Sequence, residues 1–563
     1  MSAGPASLEE YDVGLVQMLE NLTYNGVTEE ADERPELDGD LDLKSIQSSL
    51  QALMECDLKH PRFVKVRKQI QVLSTKVAAV DESIVLSAQR AEMRKLLESR
   101  KQKLKKLDQE YLVKRRLRAQ RIESLNQLQG ESRRLICTAS ESLLISDSSS
   151  INAESVNEVD QDGNDNVSLP DRQLFYNRGC YICKRRFVDL HHFYDQLCPP
   201  CAELNWAKRN FRTDLAGKVF LITGARVKIG FECCKRLLEC NATVLATSRF
   251  PMDCARRFSQ LPDFESFKSR LHIFGIDLRD LKSTIRLTER IKHQYHRLDG
   301  IINNAAQTVR RPPVYYEHLM DIESDPSTYL SSQSLAMVNA FNSASDLAIV
   351  QRSADELALS ESSSNCVSAS ASLSQVALLE EDLTQKRYFP KHQFDVNQQQ
   401  LDLRPQNSWT LLCHEVSPVE IIEVFAVNAL SPFILNSRLK PLLKATEGNK
   451  FVINVSAMEG KFYRFKGPEH PHTNMAKAAL NMLTRTSAQD FAKDNIFMNS
   501  VDTGWINDEN PFEKCVENAK RNFSTPIDEM DAMARILDPI LDGVANGVLP
   551  YGKFLKDFNE TEW

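Results

Sequence analysis

The sequence predicts an α/β protein: a doubly wound parallel sheet with a large insertion, preceded by a small four-cysteine unit and a helical, partly disordered N-terminal region. Three observations predict it. In the C-terminal part, short apolar runs alternate with helical ones, starting from "GKVFLITGARVKIGFECCKRLLECNATVLATSR", which reads as strand, glycine turn, helix and second strand. Upstream, four cysteines fall in two matched pairs. Before them lies a Leu, Lys, Glu, Gln and Arg-rich stretch with no proline between Pro61 and Gln129, a composition that favours helix.

The chain has 563 residues and a net charge of −7, enough for two to four units and a balance that favours neither nucleic acid nor membrane as partner. No long apolar run and no signal-peptide pattern stand out, so a cytoplasmic protein without a membrane span is expected. With thirteen cysteines and no secretion signal, reduced thiols are expected rather than disulfides.

Residues 1–43 include "EEADERPELDGDLD", acidic with little to bury, and are expected to be disordered. Residues 44–130 read as a helical region. Met93, Leu97, Leu104, Leu107 and Tyr111 keep a 4-and-3 coiled-coil spacing before the register lapses. The basic run "VKRRLRAQR" from Val113 reads as a solvated helix face, and these helices offer a surface to a protein partner. Residues 131–172, rich in Ser, Asp and Asn, read as a disordered linker.

Residues 173–212 hold Cys180, Cys183, Cys198 and Cys201, a C-x2-C-x14-C-x2-C pattern. Two pairs on tight turns supply four thiolates for a tetrahedral shell, which identifies a structural zinc-ribbon-like site. Two matched pairs argue against a redox dithiol. His191 and His192 lie between the pairs and are read as surface or packing residues.

Residues 213–563 form the sheet domain, interrupted by a low-complexity insertion at about 320–400 that contains "LSESSSNCVSASASLS". The turn at Gly224 aims a helix N-terminus at a phosphate, as in Rossmann-type folds. Later strands are "LHIFGIDL", "LDGIINNAAQT", "KFVINVSAMEG" and "NIFMNSVDTGW". Ser248 and Arg249 after the second strand, with Arg226 and Lys228 in the phosphate loop, place positive charge where a 2′-phosphate would lie, so NADP(H) is the expected cofactor.

From about Leu215 onward the chain resembles the short-chain dehydrogenase/reductase family, and the final "YGKFLKDFNETEW" looks like its retinol-dehydrogenase-like members. The resemblance rests on Thr223, Gly224 and Gly230 in the phosphate turn, Asp277 and Leu278, "NNAA" from Asn303, Val427 and Asn428, Ser456, Lys477, and Thr503 with Gly504. It implies hydride transfer between nicotinamide and a carbonyl or alcohol substrate, in a homo-oligomer. Cofactor contacts are implied for Thr223, Gly224, Ile229, Gly230, Asp277, Leu278, Asn303, Asn304, Ala305, Lys477, Thr503 and Gly504, and catalytic roles for Ser456, Lys477 and Asn428. Two positions depart from the pattern. Lys228 stands where a second glycine is usual, and Thr473 stands four residues before Lys477 where tyrosine is usual. A threonine alcohol is a far weaker acid than a phenol, so Tyr463, His470 and His472 are alternative proton donors. Arg310 and Arg311 would clamp an anionic substrate or pair with the acidic insertion. The competing reading is a catalytically inactive nucleotide-binding sensor or scaffold.

Overall fold

The computed structural model describes residues 64–80, 84–120, 173–338, 369–395, 397–521 and 523–563, and positions 48 and 51. The acidic segment 1–43, residues 121–130 of the helical region, the linker 131–172 and residues 339–368 of the insertion lie outside the described residues. The chain divides into two compact units. The first contains helices α1 (Val64–Val80) and α2 (Ile84–Val113) up to Leu112, with residues 172–177. Within it the Asp108 carboxylate accepts the Phe175 and Tyr176 N–H groups at 3.0 and 2.9 Å. The heptad positions Met93, Leu97 and Leu107 are exposed among the described residues.

The second unit holds the four-cysteine unit and the sheet domain. The basic run differs from its expected solvated face: Leu117 and Arg118 are buried, and Arg118 Nε donates to Asp195 at 2.8 Å. A buried carboxylate needs such a partner, and the sequence spacing concealed it.

The four-cysteine unit is an antiparallel pair, β1 (Arg178–Gly179) with β2 (Arg186–Phe187), followed by α3 (Pro199–Asn210). Cys180 and Cys183 lie on the turn between the strands, where Lys184 takes φ 63° and its N–H donates to the Cys180 carbonyl. Cys198 is the N-cap of α3 and Cys201 sits in its first turn. The four Sγ atoms lie within 4.8 Å of one another.

The sheet domain continues with β3 (Val219–Thr223), α4 (Lys228–Glu239), β4 (Thr243–Ser248), α5 (Pro251–Ser259), β5 (Leu271–Gly275), α6 (Leu281–Gln294) and β6 (Gly300–Asn303). After the insertion come α7 (Pro418–Phe425), a π-helical turn at Ala426–Leu430, α8 (Ser431–Ala445), β7 (Lys450–Ser456), α9 (Pro471–Ala492) and β8 (Ile496–Asp502). The chain ends with α10 (Phe512–Lys520), α11 (Glu529–Asn546), β9 (Phe554–Lys556) and β10 (Asn559–Thr561). The strand order is β10-β9-β8-β7-β6-β3-β4-β5, parallel throughout except for the β9–β10 hairpin. The connection reverses between β3 and β6, so the crevice at their C-terminal ends is where a ligand belongs in this architecture.

Both faces of the sheet are covered, which is why its strands are apolar without alternation. Phe220, Ile222, Val244 and Ala246 face α4, α5 and α11; Leu221, Leu245 and Ile301 face α6, α8 and α9. The continuous helical run Pro418–Ala445 contains an 18-residue window long and apolar enough to cross a bilayer, with a mean hydropathy of 1.6, a feature the sequence reading passed over. Half of it is buried in the domain, where Leu435, Leu439 and Leu443 pack on the sheet, and this packing accounts for its apolarity.

The four-cysteine unit is docked on the sheet domain through polar contacts with α11. Arg209 forks onto Asp528 at 2.5 and 2.8 Å, Tyr194 Oη donates to Asp531 at 2.5 Å, and Arg535 Nη2 donates to Asn205 Oδ1 at 2.8 Å. Phe193, Tyr194, Leu197 and Ile527 share one apolar cluster beneath these bonds. Removal of the Tyr194 hydroxyl takes one charge-assisted hydrogen bond from the buried Asp531 carboxylate, whose Oδ1 keeps Arg209 Nη1 at 3.1 Å. Tyr194→Phe is therefore expected to lower stability by about 1–3 kcal/mol, measured as a shift of the urea midpoint at constant slope.

Candidate active site

A cavity of about 710 Å³ opens at the C-terminal ends of β3, β4, β6, β7 and β8. Its floor is the turn after β3. Gly224 takes φ 73°, and a Cβ there would meet Ala305 Cα at 3.0 Å. Gly230 is tighter: a Cβ would stand 2.0 Å from the Gly224 carbonyl oxygen and 2.6 Å from Asn304 Nδ2. Only glycine fits, and the result is a helix N-terminus facing an open cradle. Asn304 Nδ2 locks the turn by donating to the Thr223 and Gly224 carbonyls at 3.0 and 3.3 Å, and Thr223 Oγ1 accepts the Ala305 N–H at 3.0 Å.

The cavity is lined by Gly224, Arg226, Lys228, Ile229, Gly230, Ser248, Arg249, Asp277, Leu278, Asn304, Ala305, Ser456, Lys477, Thr503 and Gly504. Thr223 and Asn303 lie behind this wall. Asn303 Nδ2 donates to both Asn436 Oδ1 and Asn454 Oδ1 at 2.8 Å, and Asn454 Nδ2 continues to Thr484 Oγ1 at 2.8 Å. This buried amide chain ties β6 to β7, α8 and α9.

The basic side chains at the mouth have partners. Arg226 donates to Asp253 at 2.8 Å, in a buried group that also holds Arg256 and Arg257. Although burial opposes it, these guanidinium groups hold the Asp253 carboxyl well below the usual carboxylate range. Lys228 takes the left-handed φ of 55°, as a glycine would, with Nζ 4.0 Å from Glu509. Arg249 Nη2 donates to Tyr316 Oη at 2.7 Å, its guanidinium 4.6 Å from that ring. Asp277, where burial would raise the pKa, is instead lowered by the fork from Arg279, which also reaches Glu423 at 2.8 Å.

At the other end, Ser456 closes β7 and its buried Oγ has no hydrogen-bond partner among the described residues. Lys477, on α9, donates to the Val455 carbonyl at 2.8 Å. Burial depresses its pKa to about 8, with Glu459 pulling it up more weakly. Asn428, on the π-helical turn, exchanges hydrogen bonds with the Gln307 backbone at 2.7 and 3.0 Å, so that turn fixes the loop after β6.

Asn428, Thr473, His472 and Tyr463 do not line the cavity. Thr473 Oγ1 is buried without a hydrogen-bond partner among the described residues, one turn before Lys477. His472 Nε2 is 3.6 Å from Glu420. Tyr463 is 51% exposed, with Lys461 Nζ 3.5 Å from its hydroxyl. His470 stacks on Trp409 at 3.9 Å. Arg310 forks onto Asp382 in the insertion, and Arg311, which lines the cavity, pairs with Asp402. Trp505 is half exposed and lines the cavity. Lining residues that sequence reasoning missed include Tyr181, Arg279, Gln307, Trp409, Glu509 and Lys556. Of these, only Arg279 carried a signal, as the residue after the "DL" pair.

The residues present fit a dinucleotide: a glycine cradle that a Cβ would fill, and an unpartnered buried hydroxyl at Ser456. The four Sγ atoms fit a zinc ion, since a tetrahedral thiolate shell with bonds of about 2.3 Å has edges inside the observed spread.

Comparison with known proteins agrees with the fold. Residues 218–375 match the short chain dehydrogenase family model, and residues 409–539 match the model described as enoyl-(acyl carrier protein) reductase. An uncharacterized protein of Acanthamoeba polyphaga mimivirus is 28% identical over 381 residues, 64% of this chain and 71% of that one. A fatty acyl-CoA reductase of Acinetobacter baylyi is 33% identical over 101 residues, 18% of this chain and 33% of the relative. Among solved structures, the carbonyl reductase Sniffer of D. melanogaster is 16% identical with a TM-score of 0.37, covering 62% of this chain and all of that one (100%). The two family matches, laid on a glycine cradle and a doubly wound sheet, establish that this chain carries a short-chain dehydrogenase/reductase region.

Proposed function

We propose that the protein is an NADP(H)-dependent oxidoreductase that interconverts a small carbonyl compound and its alcohol, with Thr473 in the place of the family's usual tyrosine. The observation that carries this reading is the convergence of the Gly224 cradle, Ser456 and Lys477 on one cavity. Bound NADPH would supply the hydride to the carbonyl carbon. The Ser456 hydroxyl, free of any internal partner, would hold the substrate oxygen. Lys477, with a pKa near 8, can give a proton near neutrality, and the alkoxide formed would take it. Asn428 acts at a distance by fixing Gln307. Arg249 and the backbone N–H groups of α4 would hold the phosphates, and the four cysteines a structural zinc.

A second reading, an inactive nucleotide sensor or scaffold, draws support from Thr473 lying off the cavity and from Arg226 being spent on Asp253. Turnover separates the two; nucleotide binding is common to both. The exposed apolar residues Ile422, Phe433, Met475 and Met482 on α7, α8 and α9 support a homo-oligomer.

Titration of nicotinamide fluorescence is expected to show NADPH bound in preference to NADH, and Arg249→Ala to lose at least about tenfold in NADPH affinity, since one charge-assisted contact to a phosphate is worth about that much. Unchanged NADPH affinity in the variant would remove Arg249 from the site.

Lys477 also gives a pH signature. Its folded pKa of about 8 lies below the ordinary 10.5, so between these values the unfolded chain binds more protons and stability rises with pH. Below about pH 8 the buried charge is unfavourable in full. Lys477→Met is expected to gain stability relative to wild type most strongly below pH 8, with the gain shrinking toward pH 10.5, read from urea midpoints across that range.

A further inference from the structure

The four-cysteine unit reaches into the cavity. Tyr181 follows Cys180 on the cysteine turn, and its backbone N–H is held by the Gln196 carbonyl at 2.9 Å. Its side chain joins the cavity wall at the end formed by Ser456, Thr503, Gly504 and Lys556. The hydroxyl oxygen accepts the Trp505 N–H at 2.9 Å, and no described residue accepts the hydroxyl proton in return. Gly504 makes this approach possible. It takes φ 81°, and a Cβ there would sit 3.4 Å from Tyr181 Oη and 2.6 Å from Ile527 Cδ1. The phenol thus bridges the cysteine turn and the end of β8. It keeps one donor for the cavity, at the same end where Ser456 Oγ is unpartnered.

A partly buried donor without an acceptor is costly, and a ligand oxygen in the cavity relieves that cost. Because the turn is anchored by its own hydrogen bonds and by the Tyr194, Arg209 and Asn205 contacts to α11, the phenol is held on a rigid support. We propose that Tyr181 is a ligand-contacting residue of this cavity, its hydroxyl donating to an oxygen of the nicotinamide half of NADPH while it holds the Thr503–Trp505 segment in place. The four-cysteine unit is then a part of the active site as well as a prop for the fold. This rests on the nucleotide-binding reading above.

The test compares NADPH with adenosine 2′,5′-bisphosphate, which carries the phosphorylated adenosine end and lacks the nicotinamide half. Calorimetric titrations use the full-length zinc-loaded protein and Tyr181→Phe. The variant is expected to bind NADPH about fivefold more weakly, the value of one neutral hydrogen bond, to bind the bisphosphate as wild type does, and to retain its zinc. Equal NADPH affinity overturns the proposal. So does a parallel loss for both ligands, which marks a general loosening of the fold. If wild type binds neither ligand, the nucleotide reading itself has failed, and the Tyr181 contact falls with it. A second measurement leaves the hydroxyl in place: fluorotyrosine at position 181 of the full chain is expected to shift its fluorine NMR resonance with NADPH and not with the bisphosphate, and an unmoved resonance overturns the proposal.

Discussion

The architecture of the site depends on one close approach, that of Gly230 to the Gly224 carbonyl. With 2.0 Å between that oxygen and where a Cβ would be, α4 can start directly over the end of β3. That placement opens the cradle and brings Asn304, at the end of β6, within reach of both turn carbonyls. The switch between β3 and β6 is therefore pinned by two glycines and one amide. The buried chain of Asn303, Asn454 and Thr484 extends the constraint to β7 and α9, which carry Ser456 and Lys477.

Most of the fold was legible because it follows from period and punctuation. Apolar runs bounded by Gly, Asn or Asp marked β3 and β4 to within a residue and contained β5 to β8 inside longer stretches that overran their C-terminal ends by three to five residues, since a strand covered on both faces needs no alternation. The glycine turn and the four cysteines were legible because each requires a residue type that nothing else replaces. What the sequence concealed depends on separation along the chain. Nothing near Tyr181 signals that it meets Trp505, and nothing in "VKRRLRAQR" signals that Arg118 finds Asp195. The helix Pro418–Ala445 was hidden for another reason: its apolar residues are broken by Asn428, Ser431 and Pro432, and only the structure joins the segments through a π-helical turn.

The charged residues show how local sequence misassigns roles. Arg226 and Arg310 each lie where an anion would be expected, yet each is matched to a buried carboxylate, Asp253 and Asp382. A buried carboxylate left alone would cost several kcal/mol, so a nearby guanidinium is claimed by it first. Arg249 differs because its partner is the neutral Tyr316 hydroxyl and ring. Its charge is therefore not matched by a carboxylate in direct contact among the described residues, which distinguishes it from Arg226 and Arg310.

The same reasoning bears on the exchange of tyrosine for Thr473. A phenol four residues before Lys477 would extend from α9 toward the β7 end; a threonine hydroxyl, borne on Cβ, falls short of that by the length of an aromatic ring, and here it is buried off the cavity. The wall at the Ser456 end is completed from elsewhere, by Tyr181 on the cysteine turn and Lys556 on β9, whose ammonium pairs with Asp502 at 2.7 Å. Both come from parts of the chain that pack against α11 and the β8 edge. A single set of contacts, Arg209 to Asp528, Tyr194 to Asp531 and Arg535 to Asn205 and Asp557, holds both in register. The docking of the four-cysteine unit and the shape of the Ser456 end of the cavity are in this sense one structural problem, solved by one buried network on α11.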